Sequence, residues 1–241
     1  MTGQLVGSEP AFVLHARDYR ETSQLVDLFS RHHGRLRLVA RGSRRRRVGS
    51  RPLEAFVPLV VAWRGKSDLK TLTGAEPSGQ PLTLLGDSLY IGFYLNELLL
   101  RLLAEHDPHQ VLFDRYLYTL RQLSAGECVE TALRTFERSL LSELGYGPVL
   151  TLTEDSGEVV NPQAWYWFDP DTGVSCRPGV EVDPSVPNWF RGSELLAIDT
   201  EDYSDPAVAK AAKRLMRLAI HSLLGGRPLH SRTLFARHRL Q

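Results

Sequence analysis

The sequence predicts an α+β chain, with a small N-terminal barrel of five short strands followed by a mainly helical domain that carries an irregular β-rich insertion. Three observations lead there. Residues 10–76 alternate apolar and polar with period two, in short runs separated by Gly or polar turns. From residue 84 the apolar period becomes helical. Between the two, PSGQPLT (77–83) carries two prolines and reads as a linker. The expected domains are therefore 1–80 and 81–241, with the insertion at 148–192.

The five strand segments are PAFVLHARDY (10–19), TSQLVDLFS (22–30), GRLRLVARG (34–42), EAFVPLVVAW (54–63) and DLKTLTGAE (68–76). Their β-branched and alternating composition fits half-buried strands, and five of them in under 80 residues suit a small barrel such as an OB-fold. Helices are expected at 84–105, 109–124 and 129–144, punctuated by His106–Pro108 and Ala125-Gly126 and ended by Gly145, Gly147 and Pro148. Residues 148–192 are rich in turn formers, with short alternating runs such as AWYWF (164–168). Helix resumes at Ser193–Ile198. Asp205 then caps a helix that starts at Pro206 and stops before Gly225-Gly226, and Ser231 caps a last one to Arg239.

The chain has 241 residues, an apolar fraction of 42% and a charged fraction of 24%, ordinary values for a globular protein. The N-terminus MTGQLVGSEP has neither a basic nor an apolar signal region, and Asp87, Asn96, Glu97 and Arg101 interrupt the most apolar segment. A cytoplasmic, nucleoid-associated protein is the expectation. Cys128 and Cys176 are too few for a disulfide framework or a four-cysteine metal site. There is no phosphate-binding glycine loop, HExxH or GxSxG, and the acidic clusters 154–158 and 199–205 fall in loops. No catalytic residue, cofactor or metal is therefore assigned, and the chain is read as a non-enzyme.

The net charge of +1 conceals an asymmetry. Residues 1–80 hold 14 Lys/Arg against 7 Asp/Glu, residues 81–206 hold 7 against 21, and residues 207–241 hold 8 against none. Basic ends around an acidic middle point to a polyanion partner, or to ends that pair with the middle. The densest basic stretch is GRLRLVARGSRRRR (34–47). On a strand, Arg35, Arg37 and Arg41 share one face while Leu36, Leu38 and Ala40 face the core. No acid occurs between Arg31 and Arg51, so nothing nearby in sequence neutralises the row. The run Arg44, Arg45, Arg46, Arg47 reads as a flexible clamp. Together they suit a phosphate backbone held without being read.

In an OB-fold the face of strands 2–3 and the loops after strands 1 and 4 bind oligonucleotides. Here those loops bring Arg17, Tyr19 and Arg20, and Trp63, Arg64 and Lys66. Tyr19 and Trp63 either stack on bases or pack at the barrel rim. A second basic feature lies in 207–224, where Lys210, Lys213, Arg214 and Arg217 share a helical face. It is either an outer face that pairs with the acidic middle or the rim of an apolar groove for an acidic, apolar peptide.

VLHARDYRETSQLVDLFSRHHGRLRLVARGSRRR resembles the N-terminal signature of the bacterial recombination mediator family RecO. SLYIGFYLNELLLRLL (88–103), ALRTFERSLLSELGYGP (132–148) and GGRPLHSRTLF (225–235) resemble that family's later blocks in the same order. The resemblance implies an N-terminal OB-fold, a helical C-terminal domain and no catalysis. It further implies binding to single- and double-stranded DNA, annealing of complementary strands, recognition of the C-terminal tail of single-stranded DNA-binding protein, and cooperation with RecR to load RecA. Arg134 is the residue it carries over to the tail site, with Arg138 one turn away. Many members carry a four-cysteine zinc module after the LGYGP-like block. Here 149–160 holds no cysteine, so the chain resembles the zinc-less members. The remaining alternative is a protein–protein adaptor that docks acidic tails and touches DNA incidentally.

Overall fold

A computed structural model describes residues 5–43, 53–65 and 69–238. The chain packs as two compact units, 1–127 together with 229–241, and 128–228. This division does not coincide with 80/81, because two helices beyond the linker and the last helix of the chain group with the barrel.

The barrel is built from β1 (Leu5–Tyr19), β2 (Ser23–Ser30), β3 (Gly34–Ala40), β4 (Leu59–Arg64) and β5 (Lys70–Pro77). The strands close in the order β1-β2-β3-β5-β4, with a parallel β3–β5 pair and antiparallel contacts elsewhere, an OB-like arrangement. Alternation decides what faces inward. Val26, Leu28, Leu36, Leu38, Leu59, Val61 and Trp63 fill the interior with Ala11, Val13 and Ala40. Strand β1 begins earlier than its alternation indicates and bends at a register shift between Val13 and His15. The expected strand at 54–63 is confined to 59–64, because Phe56 has a left-handed backbone and the chain turns there. The β2–β3 turn ends at Gly34, whose φ is 67° and where a Cβ would overlap the Asp107 carbonyl, so only glycine fits.

Two helices follow in the same unit, α1 (Asp87–Leu102) and α2 (Gln110–Ala125). They cover the outer face of β1 and β2. Phe12 and Phe29 meet Phe113 and Tyr116 at ring separations of 5.2–6.1 Å. Asn96 Nδ2 donates to the Leu14 carbonyl and the Tyr116 hydroxyl donates to Asn96 Oδ1, which satisfies the buried polar groups of this seam. Gly92 lets Phe56 and Leu84 approach the α1 backbone where a Cβ would collide with both.

The second unit contains α3 (Val129–Glu143), β6 (Trp165–Asp169), β7 (Gly173–Ser175), β8 (Trp189–Arg191), α4 (Gly192–Asp199) and α5 (Pro206–Leu223). Within the β-rich insertion three short strands form a sheet of order β7-β6-β8, and the rest of 148–192 is mostly turns and loop. The sheet buries Tyr166, Phe168, Val174 and Phe190 on one face. Asp205 Oδ1 caps α5 by accepting from the Ala207 amide, as its sequence predicts. The last helix, α6 (His230–His238), returns to the barrel unit against α1.

Candidate nucleic-acid interface

Parity places Arg35 and Arg37 together on the outer face of β3, with Leu36, Leu38 and Ala40 inside. No acid nearby in sequence neutralises the row, but tertiary partners reach both arginines. Arg37 lies directly opposite Asp27 in the β2–β3 register and its Nε donates to Asp27 Oδ1 at 2.8 Å. Arg35 donates through Nε to the Leu103 carbonyl at 3.0 Å and through a terminal nitrogen to Glu105 at 3.1 Å, and it lies 3.9 Å from Asp27. The acids come from the neighbouring strand and from the chain after α1, outside the 31–51 window. The Arg35 side chain is 13% exposed and that of Arg37 is 39% exposed. Arg35 is thereby a structural tie, and Arg37 offers one edge of its guanidinium.

The exposed cations border this pair. Tracing the register across the strands gives Arg17–Leu25–Val39–Thr71–Arg64, a row over β1, β2, β3, β5 and β4. Its parity is outward, since the adjacent Val26, Leu38, Leu72 and Trp63 belong to the interior. Arg17 and Arg64 are exposed at its two ends, and Arg41 is exposed two residues beyond Val39. None of the three makes a hydrogen bond or ion pair among the described residues. Tyr19 is half-buried under the Arg20 guanidinium, 5.1 Å from its ring centre. Trp63 is 2% exposed and belongs to the barrel core, which removes it as a stacking platform. Its parity with Leu59 and Val61 already carried that signal. Arg44, Arg45, Arg46, Arg47 and Lys66 lie outside the described residues. Leu25 in this row is buried and the row runs around a closed barrel, so what the barrel's outside provides is not one open strip but separate exposed cations, Arg17, Arg41 and Arg64, suited to a backbone rather than to a deep base pocket.

The second set divides in the same way. Arg134 is buried and paired with buried Glu137 one helical turn away. Arg138 donates to the Ile198 carbonyl and to Asp199 at 2.6 and 2.8 Å, which satisfies the C-terminal end of α4. Arg214 donates to the Trp189 carbonyl and stacks on Phe190 at 4.3 Å. Lys213 reaches Glu130 at 3.7 Å between exposed side chains. Lys210 and Arg217 are exposed with no such partner among the described residues. Four buried donors in this unit, Arg134 Nε, Trp167 Nε1, the Tyr203 hydroxyl and Arg214 Nε, have no hydrogen-bond partner among the described residues. Burial, with Glu201 beside it, pushes the Tyr203 hydroxyl up to about 12, so it stays a donor, and Arg138, Arg134 and Glu137 also act on it.

A four-thiolate zinc module does not fit 149–160. That stretch has no cysteine, and its turn is closed by the Thr153 and Gly157 amides donating to the Glu158 and Thr153 carbonyls at 2.9 and 2.8 Å. Cys176 is exposed, with its thiol pushed up by burial and by Asp155 and Glu158. No group of three or more His, Cys, Asp or Glu among the described residues is arranged to hold a metal ion. No helix among them is long and apolar enough to cross a membrane.

A closed five-stranded OB-like barrel, extended by a helical region with a small sheet, defines the class of this protein. A family model described as recombination protein O N terminal matches residues 5–81, and one described as recombination protein O C terminal matches 86–233. The chain belongs to the recombination protein O family. It is 46% identical over 229 residues to a DNA repair protein RecO of Pseudomonas aeruginosa strain LESB58, covering 95% of this chain and 94% of that protein. Identity is 45% over 230 residues to the DNA repair protein RecO of Ralstonia nicotianae, covering 95% and 84%. It is also 45% over 226 residues to that of Methylococcus capsulatus, covering 93% and 91%.

Proposed function

We propose that this chain is a non-catalytic, cytoplasmic mediator of DNA repair and recombination. It binds single- and double-stranded DNA through the barrel's outer face and anneals complementary strands. With RecR it helps load RecA onto single strands coated by single-stranded DNA-binding protein. The observation that carries the reading is that Arg17, Arg41 and Arg64 stand exposed on the barrel with no hydrogen bond or ion pair among the described residues. Charge supports it: the barrel unit holds 20 Lys/Arg against 13 Asp/Glu, a net +7, while the second unit holds 9 against 15, a net −6. A sequence-blind backbone contact leaves bases free to pair, which annealing requires.

The tail of single-stranded DNA-binding protein is assigned to the second unit. Lys210, Lys213 and Arg217 supply exposed cations, and Arg134 Nε with the Tyr203 hydroxyl supplies buried donors for a carboxylate. Annealing of complementary oligonucleotides coated with that protein tests the whole. Wild type accelerates it, and Arg17→Ala/Arg41→Ala/Arg64→Ala lowers the rate at least tenfold while the fold is retained. Wild type without effect at moderate salt, together with tight tail-peptide binding, would move the adaptor reading to the front.

A further inference from the structure

Helix α2 buries Leu112, Phe113, Tyr116, Leu120 and Leu123 against its own unit. Its opposite face is polar, with Gln110, Asp114, Arg121 and Ser124 exposed, but Val111 and Tyr118 interrupt it. Tyr118 is 50% exposed and Val111 66% exposed, with Arg121 exposed and Arg115 half-buried on either side of the tyrosine. Arg115 and Arg121 each stand three residues from Tyr118, so both flank its ring, and they are about 9 Å apart along the helix axis. Neither arginine side chain makes a hydrogen bond or ion pair among the described residues.

The sole acid of α2 is Asp114, and it is already spoken for. Arg31, in the β2–β3 turn, donates to both of its carboxylate oxygens, at 3.0 and 2.7 Å. The pairing raises the Arg31 guanidinium and holds the Asp114 carboxyl below the usual carboxylate range. With Asp114 offset by Arg31, Arg115 and Arg121 leave the stripe net positive, with an open aromatic face between them. An exposed Tyr between arginines also suits a protein partner, but the net +7 of this unit favours a polyanion over a neutral protein surface. A single strand uses ring and cations alike, through a base on the ring and phosphates on the guanidiniums.

We propose that the Arg115–Tyr118–Arg121 face of α2 is a second contact for single-stranded DNA, apart from the barrel face. The inference rests on the DNA-binding reading above and adds a place on the same unit for more of the strand, or for another one.

The test uses the full chain and a single-stranded oligonucleotide carrying 5-iododeoxyuridine, with photocross-link mapping and affinity measured against salt. The expected adduct falls on Tyr118. Arg115→Ala/Arg121→Ala lowers the slope of log affinity against log salt by about 1.4, the value for two phosphates of a single strand. Tyr118→Ala weakens binding about 5- to 100-fold, and Tyr118→Phe leaves it near wild type. All three side chains lie off the core face, so folding is monitored but not at stake. Tight DNA binding by wild type, with adducts confined to the barrel and an unchanged slope in the double variant, overturns this inference alone. Variants that lose a protein partner while DNA binding stays intact overturn it as well. Wild type that binds no single strand at any salt overturns the DNA-binding reading together with it.

Discussion

Asp27 decides how much of the arginine row is available. Its carboxylate is buried, opposite Arg37 in register and within 3.9 Å of Arg35. Replacing it with Asn removes the charge that draws Arg37 back onto the strand. The loss is moderated because Arg37 is partly solvated and Arg35 keeps Glu105, so the expected destabilisation is about 1–2 kcal/mol. The same change releases cations on the proposed DNA face. Asp27→Asn is therefore expected to lower the urea midpoint and to tighten single-strand binding at low salt. Weaker DNA binding by a folded Asp27→Asn protein would place the DNA elsewhere. The parity of Arg35 and Arg37 was legible in the sequence because alternation is local. Their pairing was not, because Asp27 and Glu105 come from another strand and from beyond α1. Arg134 differs: its partner Glu137 is local, at i+3 on the same helix, so that pairing was legible in the spacing.

Most elements were legible where one period persists. The helices of 87–102, 110–125 and 206–223 keep an apolar stripe over several turns, and their ends carry turn or capping residues. The strand at 54–63 was overextended because the left-handed backbone at Phe56 leaves no mark in an apolar run. The small sheet of β6, β7 and β8 was missed as a sheet because its partners are three to five residues long and separated by turns. For α6, the sequence located the helix but not its anchor, which is Glu97 of α1. That carboxylate accepts from the His230 and Ser231 amides and from the Ser231 hydroxyl at 2.7–3.0 Å. Burial alone would raise its pKa, yet these bonds and Arg101 bring it below the ordinary value of 4.5. A depressed carboxylate stabilises above its unfolded pKa, and the contribution is lost as pH falls through the folded value. Acidification below about pH 4.5, or Glu97→Ala at neutral pH, should therefore loosen α6. Hydrogen exchange is the readout: amides of 230–238 lose protection while those of α3 and α5 keep theirs. Equal loss in all three helices would mean that Glu97 supports the global fold rather than this docking.

At the scale of the molecule, charge has been sorted by unit rather than by position in the chain. The sequence shows basic ends and an acidic middle, but α6 rejoins the barrel unit while α5 stays with the acidic residues around it. The basic face of α5 therefore projects from a unit of net −6, where it is a local exception, whereas the barrel face belongs to a unit of net +7. A polyanion is attracted by the summed field, but a short tail with one carboxylate needs only a local cluster. This difference predicts a double dissociation. Lys210→Ala/Lys213→Ala/Arg217→Ala should weaken an acidic tail peptide at least tenfold and leave the salt slope of DNA binding unchanged. Arg17→Ala/Arg41→Ala/Arg64→Ala should flatten that slope by about 2, the value for three phosphates of a single strand, and leave the peptide affinity as it was. Isothermal titration with the peptide and salt-dependent anisotropy with the oligonucleotide read the two arms. If either triple variant degrades both ligands equally, one continuous anion surface serves both, and the division of function between the units is wrong.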